Sequence, residues 1–464
     1  MSFIYYDLAL LGMFVVFVIL FLYSRRENLK RQGILYLYKT KFGIQFIDRF
    51  TTRFEKVLRP LQYVVIGSGI ILMISIVWLI GRTTYIYMVS PIAEYIRAPP
   101  IAPLIPYFPK LFGLESFFPP LYFTYFILAI AVVALSHEFS HGIFARLHRF
   151  KIHSTGLAFL GPILGAFVEP DEKQMAKAKK FPQMAVLAAG TFANMLMVLI
   201  FGLVLWLFFT GLFVPAGIKF NSYAVTEIPL ASIEMNENTT VADRFVLVSV
   251  DNKNFFVERE ALQKARENNI RSLLAYDDSP AFRNQLRGAI TSIDGTTITS
   301  IEQLREILAS HKPGDTLRVE SAILELGHDK IKEQRSYSLT LAEREGRAFL
   351  GIGFIPIQAR GIIGFFYAKV IVPIRNPYVY YKSVIGDIGL FVYYLLWWIV
   401  VINLLVALFN MLPVSVLDGG RFFYLTVWGI TGSEKIGRGA YKFTTASILA
   451  IVLLLMVRWV IALF

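Results

Sequence analysis

An almost wholly apolar run from Pro120 to Ser136 leads directly into the five residues His137-Glu138-Phe139-Ser140-His141. The run and the motif together are long enough for a helix that crosses a bilayer. Positions i and i+4 of a helix share one face, so the two histidines can bind one metal ion, with Glu138 on the flank between them. Ionisable residues inside a membrane helix usually mark a functional site. The pattern therefore predicts an intramembrane metal site in which Glu138 acts as general base toward an activated water.

Composition narrows the class of protein and the kind of metal. Of the 464 residues 56% are hydrophobic and the mean hydropathy is +0.56. Soluble domains are about 45–50% apolar, so we predict a membrane protein. The chain has no cysteine, which leaves histidine and carboxylate as metal ligands and favours Zn²⁺. Two of the six histidines lie in the motif.

Apolar segments long enough to cross a bilayer recur along the chain. They predict a mainly α, polytopic membrane protein with about six transmembrane helices, near residues 3–23, 61–82, 121–147, 184–212, 388–412 and 443–464. Residues 154–168 are also apolar but about half the length of a membrane crossing, and glycines and a Gly161-Pro162 pair interrupt them. This pattern predicts a β-hairpin that enters the membrane and leaves on the same side.

Residues 222–355 differ from the rest in being charged and rich in strand and turn signals. A helix is predicted over 300–310, capped by Ser300, and an Asp294-Gly295 pair predicts a hairpin turn. These signals indicate an extramembrane α/β domain. Residues 222–348 carry 16 basic and 20 acidic residues, a net charge of −4 that leaves +17 on the remainder. Since the soluble part is acidic, we expect no nucleic-acid partner.

The basic residues predict the orientation of the chain. Residues 24–60, 146–180 and 421–442 carry 10, 7 and 4 Lys or Arg. Cytoplasmic loops are enriched in these residues, so all three segments are expected in the cytosol, with 24–60 along the membrane surface. The six spans then alternate. The 222–355 domain falls outside the cytosol, and the metal site falls in the cytoplasmic half of the membrane.

A tetrahedral catalytic site needs a third protein ligand. An extended motif with Gly at 144 and His at 147 is ruled out by Phe144 and Leu147, and His148 and His153 fit interfacial and loop positions better. Asp418 is the stronger candidate, because it lies at the end of a span and two glycines after it would let the backbone approach the metal. Taken alone, this Asp-Gly pair is more typical of an ordinary turn.

Three motifs in order resemble the site-2 protease family of intramembrane metalloproteases. They are the histidine motif, Gly190-x-x-x-Asn194, and Asn410-x-x-Pro413-x-x-x-Leu417-Asp418-Gly419, and the resemblance covers about residues 121–464. It implies that Zn²⁺ is held by His137, His141 and Asp418. It also implies that Glu138 is the base and then the proton donor, and that Asn194 and Asn410 contact the backbone of the substrate.

The same resemblance implies a domain organisation. Residues 1–120 form an N-terminal membrane region outside the family core, 121–212 the catalytic membrane core, and 361–464 a C-terminal membrane region. Residues 222–355 resemble a PDZ domain, for which two roles stay open: binding of substrate C-termini, or exclusion of bulky ectodomains.

The expected function is a zinc-dependent endopeptidase that cleaves transmembrane segments of other proteins within the lipid bilayer. One alternative is a membrane protease of the CAAX prenyl class, which would need a Glu ligand on a later helix. The spans predicted after Glu345 contain no Glu, which counts against this class. A zinc carrier or an inactive scaffold is the other. A carrier would require polar residues along several spans, and the intact Glu138 argues against an inactive scaffold.

Overall fold

A computed structural model describes residues 3–33, 35–89, 99–161, 163–235, 244–268, 270–355 and 372–462. The chain divides into two compact units. The first, here called the membrane unit, comprises Met1–Leu207 and Phe391–Phe464, and the second, the sheet unit, comprises Phe208–Leu390.

Six helices of the described residues are long and apolar enough to cross a membrane, which confirms the expectation of an integral membrane protein. Such segments form helices because lipid offers no hydrogen-bond partners, so each backbone group must be paired within its own segment. The six are α1 Phe3–Ser24, α2 Ile44–Val89, α4 Phe123–Leu147, α6 Lys180–Leu212, α11 Gly386–Asn410 and α13 Glu434–Ala462. The shorter helices are α3 Phe108–Leu111, α5 Glu172–Lys177, α7 Arg259–Glu267, α8 Pro280–Arg283, α9 Ile301–Ser310, α10 Val372–Ile374 and α12 Asp418–Thr431.

The second long helix and the segment before it differ from the sequence prediction. Helix α2 begins at Ile44, not near residue 61, and continues through Pro60. Proline has no backbone N–H, so the carbonyl four residues before Pro60 lacks its helix hydrogen bond. Because Pro60 is exposed, this carbonyl can turn toward water while the helix continues. Residues 29–40, expected along the membrane surface, form strands β1 Leu29–Gln32 and β2 Leu35–Thr40. The strand pattern is difficult to recognise in the sequence because Lys and Arg are interleaved with Tyr and Leu.

Those two strands join the predicted hairpin, which consists of β3 Ile152–Leu160 and β4 Ile163–Pro170. The result is a four-stranded antiparallel sheet in the order β1-β2-β3-β4. Strand β2 covers one edge of the hairpin, with Tyr38 opposite Leu157. The outer edge of β4 remains uncovered by any strand among the described residues, and this edge runs beside α4. The N-terminal region is therefore part of the sheet next to the histidine motif.

A buried carboxylate on α1 holds the start of α4. Asp7 is 1% exposed. Its oxygens accept hydrogen bonds from the backbone N–H groups of Phe123 (2.7 Å) and Thr124 (2.8 Å), and from the hydroxyls of Thr124 and Tyr107 (both 2.5 Å). The first N–H groups of a helix have no hydrogen-bond partner within the helix. The Asp7 carboxylate supplies acceptors for two of them, and its negative charge interacts favourably with the positive end of the α4 dipole.

The described residues of the sheet unit form fifteen strands. They are β5 Phe213–Lys219, β6 Ser222–Tyr223, β7 Val225–Pro229, β8 Glu234–Met235, β9 Phe245–Val250, β10 Lys253–Glu258, β11 Ser272–Asp277, β12 Ala289–Ile293, β13 Thr296–Thr297, β14 Thr316–Leu324, β15 Ile331–Thr340, β16 Ala342–Arg344, β17 Arg347–Phe349, β18 Ile352–Gly353 and β19 Val379–Ser383. One of the two larger sheets has the order β7-β11-β10-β9-β8, and the other has the order β15-β14-β12-β5-β19. The predicted helix with its Ser300 cap and the Asp294-Gly295 hairpin are confirmed as α9 and the β12–β13 turn.

Strands β5 and β19 pair with each other although both lie outside the predicted bounds of 222–355. A buried ion cluster supports this edge of the sheet. Asp329 pairs with Lys219 at 2.7 Å and with Arg375. Burial by itself would raise the pKa of Asp329, but the two cations hold it below its usual range. The cluster ties the β14–β15 turn to β5 and to the segment before β19.

Removing the carboxylate of Asp7 tests how α4 is held. Asp7→Ala leaves two N–H groups at the start of α4 without their acceptor, and each such loss costs about 1–3 kcal/mol. We expect a lower melting temperature in detergent, measured by thermal unfolding. Asp7→Asn keeps one acceptor oxygen and should lose less. Equal melting temperatures for both variants and the wild type would contradict this role.

Candidate metal centre

Three side chains far apart in sequence meet in the membrane unit. The Nε2 atoms of His137 and His141 lie 3.0 Å apart, and Oδ2 of Asp418 lies 3.3 Å from each. Zinc ligands lie about 2.0–2.1 Å from the ion, so a tetrahedral site separates them by about 3.3 Å. The three atoms therefore have the spacing and the chemistry of three ligands of one divalent ion, and they form the candidate metal group of the described residues.

Both imidazoles are oriented by bonds through their other nitrogen. Nδ1 of His141 lies 2.8 Å from the carbonyl oxygen of Val186. A carbonyl oxygen can only accept, so Nδ1 of His141 is protonated and donates this hydrogen bond. Nδ1 of His137 lies 3.1 Å from the side-chain amide of Asn194. The amide atom facing His137 is Nδ2, while Oδ1 faces Ser136. Rotation of the amide by about 180° would bring Oδ1 to a protonated Nδ1 and leave Nε2 of His137 deprotonated, as a metal ligand requires.

Helix α6 reaches the histidines at a glycine. A Cβ added to Gly190 would lie 2.5 Å from Nε2 of His141 and 2.6 Å from Nε2 of His137. No side chain fits at this position without displacing the ligands. Asn194, one turn further along the same face, is completely buried against His137 and lies 3.3 Å from Oγ of Ser136. Gly190 and Asn194, four residues apart, therefore lie on the one face of α6 that packs against the two imidazoles.

Asp418 is the first residue of α12, a helix that the sequence pattern did not indicate. A carboxylate in the first turn is favoured by the helix dipole. The glycines after it serve a different purpose from the predicted approach to the metal. A Cβ on Gly419 would lie 2.3 Å from the carbonyl carbon of Met411, and one on Gly420 would lie 2.2 Å from the oxygen of Val414. They let α12 pack on the turn that follows α11.

Glu138 lies beside the metal group and also contacts the sheet. Its Oε2 accepts a hydrogen bond from the backbone N–H of Val168 on β4, at 2.9 Å. Glu138 also lines a cavity of about 1150 Å³, together with Ser136, Phe139 and residues of the sheet. The carboxylate therefore faces a space large enough for a peptide segment, next to a strand edge.

The other predicted residues are not members of the metal group. Asn410 is the last residue of α11, is half-buried, and makes no side-chain hydrogen bond within the described part of the chain. His148 is the C-cap residue of α4, and His153 pairs with Asp171. Glu434, a late Glu of the kind that the prenyl protease class would use, bonds to Tyr424 and Arg438 instead. Sequence reasoning missed Val186 and Val168, which act through backbone atoms that no residue type reveals.

A methyl group at Gly190 should disrupt the metal group. In Gly190→Ala the new Cβ overlaps both ligand nitrogens, so we expect at least about a tenfold loss of affinity for a divalent metal. Metal content after dialysis, measured by mass spectrometry, checks this. Gly202→Ala is the matched control, since it is on the same helix with open space around it. Equal metal content in the two variants would contradict the role of Gly190.

Comparison with known proteins agrees with this geometry. The model of peptidase family M50 matches residues 125–455, more than half of the chain. A stretch of 74 residues, 16% of this chain, is 39% identical to an uncharacterized protein of Methanocaldococcus jannaschii, of which it spans 20%. The extent of the family match confirms the resemblance drawn from the three motifs. The chain therefore belongs to peptidase family M50, the site-2 protease family of membrane-embedded metalloproteases.

Proposed function

We propose that this protein is a zinc-dependent endopeptidase that hydrolyses peptide bonds in or near transmembrane segments of other membrane proteins. The observation that carries the proposal is the triangle of His137, His141 and Asp418 donor atoms, with Glu138 next to His137 on α4. The family supplies the reaction class, and the site supplies a ligand set suited to zinc.

Zinc bound by these three residues would lower the pKa of a water to about 7 and polarise the carbonyl of the scissile peptide. Glu138 then accepts the proton of the attacking water and donates it to the nitrogen of the leaving amine. Its hydrogen bond from Val168 holds the carboxylate at the edge of the cavity. Asn194 and Asn410 are the residues that we assign to contact with substrate backbone, and Asn194 also bonds to the ring of His137.

A helical substrate must unwind before cleavage, because its carbonyls are hydrogen-bonded and enclosed. Unwinding exposes backbone groups that lipid cannot satisfy. Strand β4 offers partners: alternate residues of a strand point their backbone groups to the same edge, so Ala166 and Leu164 share the edge of the Val168 N–H group. We infer that the substrate adds to β4 as an extra strand.

We also propose that the region predicted as 222–355 is a PDZ-like domain outside the cytosol that selects substrates. All the residues assigned to chemistry lie in the membrane unit, whereas this region belongs to the sheet unit. The acidic charge of the region and the basic segments beside the spans support this orientation.

The catalytic proposal is tested by Glu138→Gln. We expect cleavage of a model transmembrane substrate by purified protein to be lost, because the amide cannot accept the proton, while zinc content stays near that of the wild type. Glu169→Gln makes the same chemical change at the end of β4, where the carboxylate pairs with Lys39, and should retain cleavage. Full activity in Glu138→Gln would rule out the mechanism.

Deletion of residues 222–348 tests the selecting role. We expect peptide-bond hydrolysis to persist with a changed set of substrates, because the deleted segment contains none of the proposed catalytic residues. A panel of single-span proteins with small and bulky ectodomains, followed by gel analysis, measures the change. The same deletion combined with Glu138→Gln gives the background. Loss of all hydrolysis in a deletion variant that still binds zinc would refute the role.

A further inference from the structure

The cavity beside Glu138 has a wall that the family match does not include. Strand β2, the turn after it and the start of α2 contribute this wall, and all of them lie before residue 125. The opposite sides come from α4 and from the hairpin β3–β4. The N-terminal region, which has no role in the family resemblance, therefore lines the space into which Glu138 faces.

The floor of the cavity is one face of the four-stranded sheet. Tyr38, Leu157 and Ala166 lie opposite one another on β2, β3 and β4, and paired residues of neighbouring strands share a face. All three line the cavity. This floor is continuous with the edge of β4, so a strand added there would extend the floor and project alternate side chains into the cavity.

The turn between β2 and α2 is fixed to the sheet. Thr155 on β3 donates a hydrogen bond from its hydroxyl to the carbonyl of Phe42, and Thr40 donates to the carbonyl of Thr155 at 3.2 Å. The backbone N–H of Phe42 in turn donates to the hydroxyl of Thr40 at 3.3 Å. Lys41, between these two residues, is thereby held at the rim of the cavity.

The charges of the cavity lining are uneven. Lys41 and Arg49 line it and are exposed, and neither has an ion-pair partner among the residues that the structure describes. Their neighbours differ: Lys39 pairs with Glu169, and Asp48 is occupied by Arg146. Glu138 is the one acidic residue of the described lining. The rim thus presents two cations to whatever enters the cavity.

We propose that this N-terminal wall determines specificity. It accepts an apolar segment of a substrate protein that carries an acidic residue close to the cleaved peptide, and the acidic side chain pairs with Lys41 and Arg49. The proposal rests on the proposed function, since it names the substrate class of the same site. A membrane phospholipid is the competing partner for the two cations, because lysine and arginine near a membrane surface also pair with phosphate.

The test uses purified protein in vesicles of phosphatidylcholine and one single-span substrate with Asp, Gln or Lys placed in turn at each position around the cleavage site. For wild-type protein we expect kcat/KM to fall from Asp to Gln to Lys over a narrow window of positions, by at least about tenfold between Asp and Lys, which corresponds to 1.4 kcal/mol. Equal rates across the series would overturn the proposal without any variant being needed.

A charge reversal with a matched control separates substrate from lipid. The double variant Lys41→Glu, Arg49→Glu should invert the order, so that the Lys substrate is cut faster than the Asp substrate. The control Arg53→Glu, Lys56→Glu makes the same charge change on exposed residues of α2 outside the lining and should keep the wild-type order. Equal shifts in both variants would assign the cations to lipid and refute the proposal. Absence of any cleavage that depends on Glu138 would instead overturn the proposed function.

Discussion

The approach of α6 to the two imidazoles is the contact on which the rest of the site depends. Val186, Gly190 and Asn194 follow one another at intervals of four residues and so occupy one face of the helix. The first orients His141 through its carbonyl, the second leaves room for both rings, and the third bonds to His137. One helix face therefore fixes both rings at once, and a ligand pair that is rigid before binding loses little entropy when a metal binds.

The helix that carries the two histidines is held at several points by the N-terminal region. Asp7 completes its first turn, and Asp48 pairs with Arg146 near its last turn at 2.5 Å. Between these ends, Glu138 bonds to a sheet whose first two strands come from residues before the family match. Residues 3–49 thus do more than add membrane anchors: they position the helix on which the chemistry is proposed.

The sequence predicted which three side chains come together better than it predicted their surroundings. His137 and His141 follow from helical spacing alone, and Asp418 followed from the order of the motifs, because no local pattern distinguishes it from a turn. Strand β2 was missed because its partner β3 lies more than a hundred residues away, and β1 was missed with it because β1 pairs only with β2 among the described residues. Strand pairing leaves little trace in composition. Helix α12 was missed because Gly419 and Gly420 follow its first residue, and two glycines in a row are more typical of a loop than of a helix start. Close packing requires both glycines here.

A carboxylate at Glu138 would balance the charge of a divalent ion bound at the metal group. Two neutral imidazoles and the carboxylate of Asp418 would leave a bound divalent ion with a net charge of +1. Burial of such a charge in an apolar helix bundle costs about 2.5–3.5 kcal/mol even on lenient scales. The carboxylate of Glu138 would bring the net charge of the site to zero. One of its oxygens accepts a hydrogen bond from the N–H of Val168, which lipid could not provide. Protonation of Glu138 during the reaction would restore the positive charge as negative charge develops on the carbonyl oxygen, so that neutrality is preserved from water attack to release of the amine.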